Sequence, residues 1–157
     1  FYIIAKKESD KPILFYNPHE FWSLFRFEKE NAMYQWIGDN KRKGYEVIGA
    51  NTPLDRITTK YIEQYGIENA YEEKGTFPKN YFTSVIGDYI LDTILDMNTA
   101  NAIDALYKRH TIWNDDVAKE LDDILTRIKR SKVVIYHNKK KAEQIRKKLM
   151  KYFVFYK

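Results

Sequence analysis

Three carboxylates, Asp88, Asp92 and Asp96, recur at four-residue intervals, and paired carboxylates can do acid and base work when a fold brings two of them to one substrate. Local context gives them other duties. Asp88 follows Gly87 between two runs of aromatic and β-branched residues, where a turn belongs, and Asp96 closes the second run. Tyr16, His19, Trp22 and Arg26 gather polar-tipped aromatics and one cation after an extended run. That grouping suits the lining of a small-molecule pocket, and equally a partly buried aromatic cluster. His110 stands at helical spacing from Ile103, Leu106 and Tyr107 and reads as a core histidine. With no cysteine, and with histidines only at 19, 110 and 137, neither disulfides nor a thiolate or zinc site is expected, and no cofactor or metal is assigned. The chain has no glycine-rich phosphate loop, no His-Glu-x-x-His and no Ser or Cys nucleophile motif. No catalytic residue is named, and the expectation is a protein that is not an enzyme.

A second chemistry lies in the charge distribution. From Arg127 onward twelve Lys or Arg stand against one acid, Glu143, a net of +11, while the preceding 126 residues carry −6. A phosphate-tracking surface would use Arg130, Lys132, Lys139, Lys140, Arg146, Lys147 and Lys148, since backbone phosphates attract any suitably placed cations. On the last helix Lys139, Lys140, Lys141, Arg146, Lys147, Lys148 and Lys151 lie outside the apolar stripe Ala142, Ile145, Leu149 and Phe153, which is also how a solvated helix face looks. Tyr152, Phe153, Phe155 and Tyr156 either stack on bases or form a docked C-terminal strand.

The elements that must position these groups follow from periodicity. Residues 81–96 predict a hairpin around Gly87-Asp88, with the second arm apolar enough to be covered on both faces. Strands are expected at 1–5, 13–16, 45–50, 67–72 and 132–137. Helices are expected at 19–24 in one or two turns, at 28–43 ending on Gly44, at 54–65 closed by Gly66, from a Thr99 cap to His110, from an Asn114 cap through Ile128, and at 139–153 after Asn138. The fold class is therefore α/β (α+β), a mixed sheet with a central antiparallel hairpin and helices packed on it. At 157 residues with 44% hydrophobic and 31% charged residues, one domain spanning residues 1–157 is expected, folded and in the cytoplasm. No apolar run approaches the length that crosses a bilayer.

In order along the chain, Lys11-Pro12-Ile13-Leu14-Phe15-Tyr16, Trp36-Ile37 with Asn40-Lys41-Arg42-Lys43-Gly44-Tyr45-Glu46-Val47-Ile48, Phe77-Pro78 ahead of Val85-Ile86-Gly87-Asp88-Tyr89-Ile90, and Asn98 to Tyr107 form one pattern. It resembles the effector domain of TrmB-like transcriptional regulators, a fold related to phospholipase D. The resemblance implies a sensor or dimerisation domain with three partners: a second copy, a small-molecule effector, and DNA reached through an N-terminal helix-turn-helix. The start at Phe1 suits a fragment lacking that helix-turn-helix, and no membrane partner is implied. The related phospholipases use His-x-Lys with a downstream aspartate. Here His137-Asn138-Lys139 occurs once and Gln144 stands in the aspartate's place, so the resemblance implies the fold without the catalytic motif. Three readings remain: a regulatory domain, a nucleic-acid-binding module using the basic segment, and a phosphodiesterase.

Overall fold

A computed structural model of the chain describes residues 1–8, 11–25, 27–72, 74–127 and 131–153. Thirteen elements run in the order α1 (Tyr2–Lys7), β1 (Ile13–Asn17), α2 (Trp22–Phe25), α3 (Phe27–Asp39), β2 (Gly44–Ile48), α4 (Pro53–Glu63), β3 (Ile67–Tyr71), β4 (Tyr81–Ile86), β5 (Tyr89–Leu95), α5 (Met97–Arg109), α6 (Asp115–Thr126), β6 (Ser131–His137) and α7 (Lys139–Met150). The strands form one mixed sheet in the order β3-β2-β1-β4-β5-β6. β1, β2 and β3 are parallel, joined through α3 and α4, whereas β4, β5 and β6 pair antiparallel. The mixed α/β class with the hairpin inside the sheet is as the residue pattern predicts.

Gly87 takes φ +60 in the β4–β5 turn, the left-handed geometry that a two-residue hairpin requires. Asp88 beside it is held by Lys11 at 2.5 Å. Register then sorts the side chains by face. Ile13, Phe15, Asn17, Glu46, Phe82, Ser84 and Ile86 share one face, and Leu14, Tyr16, Val47, Val85 and Ile90 share the other. Helices α1 to α6 cover the first face, where Ile13, Phe15, Tyr34, Ile37 and Ile62 make one cluster and Phe82, Leu95, Ile103, Leu106, Val117 and Leu121 another. On the second face lies α7, packed through Ala142, Ile145 and Leu149. Each fully buried aliphatic side chain in these clusters contributes about 1.5–3 kcal/mol.

Helix boundaries follow their caps. Thr52 and Asp55 exchange hydrogen bonds as a capping box with Pro53 in the first turn of α4. Asp96, rather than Thr99, caps α5: its carboxylate accepts from the Thr99 amide at 3.0 Å and the Thr99 hydroxyl at 2.7 Å. Asn114 and Asn138 cap α6 and α7 as their positions predict. The expected helix at 28–43 stops instead at Asp39, because Lys41 turns left-handed at φ 50 and Gly44 is already the first residue of β2.

Three further expectations are corrected. Tyr2–Lys7 is a helix with Phe1 as its N-cap, in place of the strand expected at 1–5. The apolar run instead lays Ile4 and Ala5 against Ile13 and Ile86, and Arg42 satisfies the carbonyls of Ala5, Glu8 and Lys11 at 2.7–2.9 Å. β5 is buried at Ile90 and Asp92 on the α7 face, whereas on the other face Leu95 is buried and Leu91 and Thr93 are only half-buried. His110 is not in the core: it caps α5 and turns Nε2 to Glu120 at 3.2 Å. Ile128, Arg130 and residues 154–157 lie outside the described residues, and so does the strand expected at the C-terminus. No described helix is long and apolar enough to cross a membrane.

Candidate functional site

The side chains grouped by sequence after β1 part company in the fold. Tyr16 points to the α7 face of the sheet, against the tilted ring of Phe77 with centroids 4.6 Å apart, and its hydroxyl lies so close to Gly49 that a Cβ there would collide with it. His19 is enclosed beneath α4 and α5, and Trp22 opens α2. Arg26 lies outside the described residues. The expected single pocket of Tyr16, His19, Trp22 and Arg26 is therefore corrected to separate environments for the first three, because β1's alternation and the turn at 18–21 send them in different directions.

His19 sits between two acids. Its Nδ1 is 3.2 Å from both carboxylate oxygens of Asp55, its Nε2 is 3.4 Å from Asp104, and its ring lies on Tyr107 with centroids 4.4 Å apart. The α4 cap fixes Asp55, through the Thr52 amide and hydroxyl at 3.1 and 2.8 Å. Although burial works in the opposite direction, Lys108 and His19 hold the Asp104 carboxyl below its ordinary range. Both imidazole nitrogens are thus turned to carboxylates, and neither is presented to a substrate.

Beside this triad lies a pair of buried acids. Asn17, last in β1, donates to Glu20 Oε2 at 2.8 Å and to Glu46 Oε1 at 2.5 Å. Glu20 also accepts from the Ser23 amide at 3.0 Å, and its carbonyl accepts from the Tyr107 hydroxyl at 2.6 Å. Burial first, then the charge of Glu20, push the Glu46 carboxyl well above its usual range. Burial raises Glu20 as well, against the hydrogen bonds it receives. Burial thus disfavours charge on both acids, and Glu46 Oε2 has no hydrogen-bond partner among the described residues. Two features of the sequence mark the cluster: a glutamate inside the otherwise core-facing run Gly44–Ile48, and the Thr52–Asp55 cap spacing.

Asn17 also lines the innermost part of an open groove of about 490 Å³ on the helix-covered side of the sheet. Its floor is Phe82 and Ser84 of β4 with Leu91 and Thr93 of β5. One wall is Phe1 with Met33 and Tyr34 of α3, and the other is Trp22 of α2 with Leu125 of α6. Val133 of β6 stands at the outer rim. This is a concave surface with five aromatic residues, to which Asn17, Thr83, Ser84, Thr93, Ser131 and one acid, Glu30, add polar groups, the mixture found in small-molecule sites. Among the described residues of the sequence-derived pocket, Trp22 alone takes part. A second crevice of about 420 Å³ between α5 and α6 is lined by three acids, of which Asp96 caps α5 and Glu120 pairs with Arg109 and His110.

The basic segment is partly tied to the fold. Arg146 donates to the Gly87 carbonyl at 2.5 Å and to Glu143 at 2.7 Å, Lys148 lies over the Phe77 ring at 4.3 Å, and Lys141 approaches Asp92 at 3.7 Å. Lys132, Lys139, Lys140 and Lys147 are exposed. Asp92 itself is buried and accepts from Tyr81, Thr83 and Tyr136 at 2.6–2.8 Å. Asp88, Asp92 and Asp96 thus occupy a turn, the α7 face and a helix cap, with no shared substrate position. His137 contacts the Tyr89 ring at 4.8 Å on the edge strand.

Comparison of the chain with family models, with curated proteins and with solved structures finds no match.

Proposed function

We propose that this chain is a non-catalytic sensor domain of a cytoplasmic transcriptional regulator, with a small-molecule effector held in the groove over β4 and β5. The groove carries the reading: about 490 Å³ walled by Phe1, Trp22, Met33, Tyr34, Phe82 and Leu125, with Asn17, Glu30, Ser84 and Thr93 supplying hydrogen-bonding groups. Such a site suits a largely apolar molecule of metabolite size, oriented by two or three polar contacts. Its walls belong to α2, α3 and α6, so occupancy would change how those helices sit on the sheet. The resemblance to TrmB-like effector domains with a phospholipase D-related fold adds the regulatory assignment, and with it DNA contacted through another part of the protein.

The nucleic-acid reading has weaker support, because Lys141, Arg146 and Lys148 already bond within the fold. For a phosphodiesterase, His137 lacks an acidic partner on α7 and His19 is enclosed by Asp55 and Asp104. Bis-p-nitrophenyl phosphate should not be hydrolysed above background, and turnover that disappears in His137→Ala would overturn the non-catalytic assignment. A thermal-shift screen of neutral, metabolite-sized compounds tests the sensing site. Binding at 100 times Kd stabilises by about 2.7 kcal/mol, several degrees in Tm, and this shift should vanish in Thr93→Trp, which fills the groove. Shifts of equal size in both proteins would place the ligand elsewhere.

A further inference from the structure

We propose that β6 joins β6 of a second copy, antiparallel, making one continuous sheet across a two-fold axis. The inference extends the sensor reading, because that axis lies beside the open rim of the groove. Among the described residues β6 is the last strand of the sheet and hydrogen-bonds to β5 alone. Beyond the paired residues Tyr89 and His137, the Asn138 amide donates to the Asp88 carbonyl at 2.9 Å. Antiparallel alternation then turns the backbone groups of Lys132, Val134 and Tyr136 toward β5, and those of Ser131, Val133, Ile135 and His137 outward.

The side chains of the outward-bonding residues sit on the groove side of the sheet. Val133 and Ile135 are 60% and 58% exposed there, although β-branched residues in a strand are normally covered. Natural edges are usually blunted by proline, by charge on the exposed face or by a bulge, and β6 has its charge, Lys132, on the opposite face. The strand is also its own complement. In the full-length antiparallel register centred on Val134, Ser131 faces His137, Lys132 faces Tyr136 and Val133 faces Ile135 of the second copy. Outward-turned backbone groups then meet outward-turned groups, both apolar pairs fall on one face, and no like charges are opposed. A one-residue slip would match outward groups with inward ones and lose the ladder. This self-complementarity selects a second copy over a foreign strand. With the axis perpendicular to the sheet, the two grooves open on the same side. Val133, at the rim of each groove, meets Ile135 of the other copy, so each partner helps close the other's site.

Sedimentation equilibrium without ligand, from 1 to 200 µM, should show a reversible dimer. In Val133→Lys/Ile135→Lys the dissociation constant should rise at least a hundredfold, with unchanged circular dichroism. The chain has no cysteine, so Val134→Cys places one thiol at the axis, and mild oxidation should give covalent dimer where an exposed control, Gln144→Cys, does not. A wild type that stays monomeric throughout, or a dimer indifferent to the double lysine change and without a Val134→Cys crosslink, overturns the proposal. Because no ligand is present, the groove's occupancy can fail or hold independently of either result.

Discussion

Glu46 is fully buried in β2 beside the acid of Glu20, and that placement has a pH signature. A carboxyl whose folded-state value lies above its unfolded one binds more protons in the folded state. Its stabilising contribution is whole in acid and declines as pH rises from the ordinary carboxylate range through the raised value, by at most about 1.4 kcal/mol per pH unit for one proton. Glu46→Gln keeps an oxygen for Asn17 and adds a permanent donor toward Glu20. Its stability relative to wild type should therefore increase steadily with pH above about 5, measured by urea unfolding at successive pH values. A pH-independent difference would mean that burial does not raise the Glu46 carboxyl. His19 gives a complementary prediction. Asp55→Ala removes the acidic half of the α4 capping box and one of the acids that enclose the imidazole, and should cost about 3–5 kcal/mol, as breaking a buried pair does. Asp104→Ala, at the half-exposed end of the same ring, should cost distinctly less.

At the level of elements, α7 separates two kinds of basic residue that look identical in sequence. Lys140 and Lys147 face water, and Lys→Glu at either should change stability by no more than about 1 kcal/mol. Arg146 bonds the hairpin carbonyl of Gly87, and Arg146→Ala should cost about 1–3 kcal/mol by leaving that group without its donor. Equal losses at all three positions would contradict this division. The elements themselves were legible where a local rule decides them. Gly87-Asp88 announces the hairpin, Asn114 and Asn138 announce their caps, and the stripe Val117, Leu121, Leu125 announces α6. They were not legible where a distant contact decides. The run at 1–5 has strand propensity, yet it enters α1, and Arg42, remote in sequence, takes the carbonyls at the helix's end. The site was less legible than the fold for the same reason. Trp22 was found from its neighbours, whereas the groove needs Met33, Phe82, Leu91 and Leu125, which come together only through sheet register and helix packing.

Over the whole molecule, the sheet divides the protein into a closed side and an open one. On one face α7 and its aromatic neighbours cover Tyr16, Val85 and Ile90. On the other the helices part over β4 and β5, leaving Ser84, Leu91 and Thr93 as the floor of a groove with an aromatic wall. A strand with two half-buried residues in the interior of the sheet forgoes about 25 cal/mol for every Å² of apolar surface left uncovered, so a ligand that covers it recovers that stabilisation. The direct measurement is a fluorescence titration with N-phenyl-1-naphthylamine, a neutral apolar probe, on wild type, Thr93→Trp and Ser84→Phe. The variants' folds are checked by circular dichroism and thermal melting. Saturable binding to wild type, weakened at least tenfold in both folded variants, is the predicted result. Absence of saturable binding, or binding that ignores both substitutions, would contradict the groove as the sensing site.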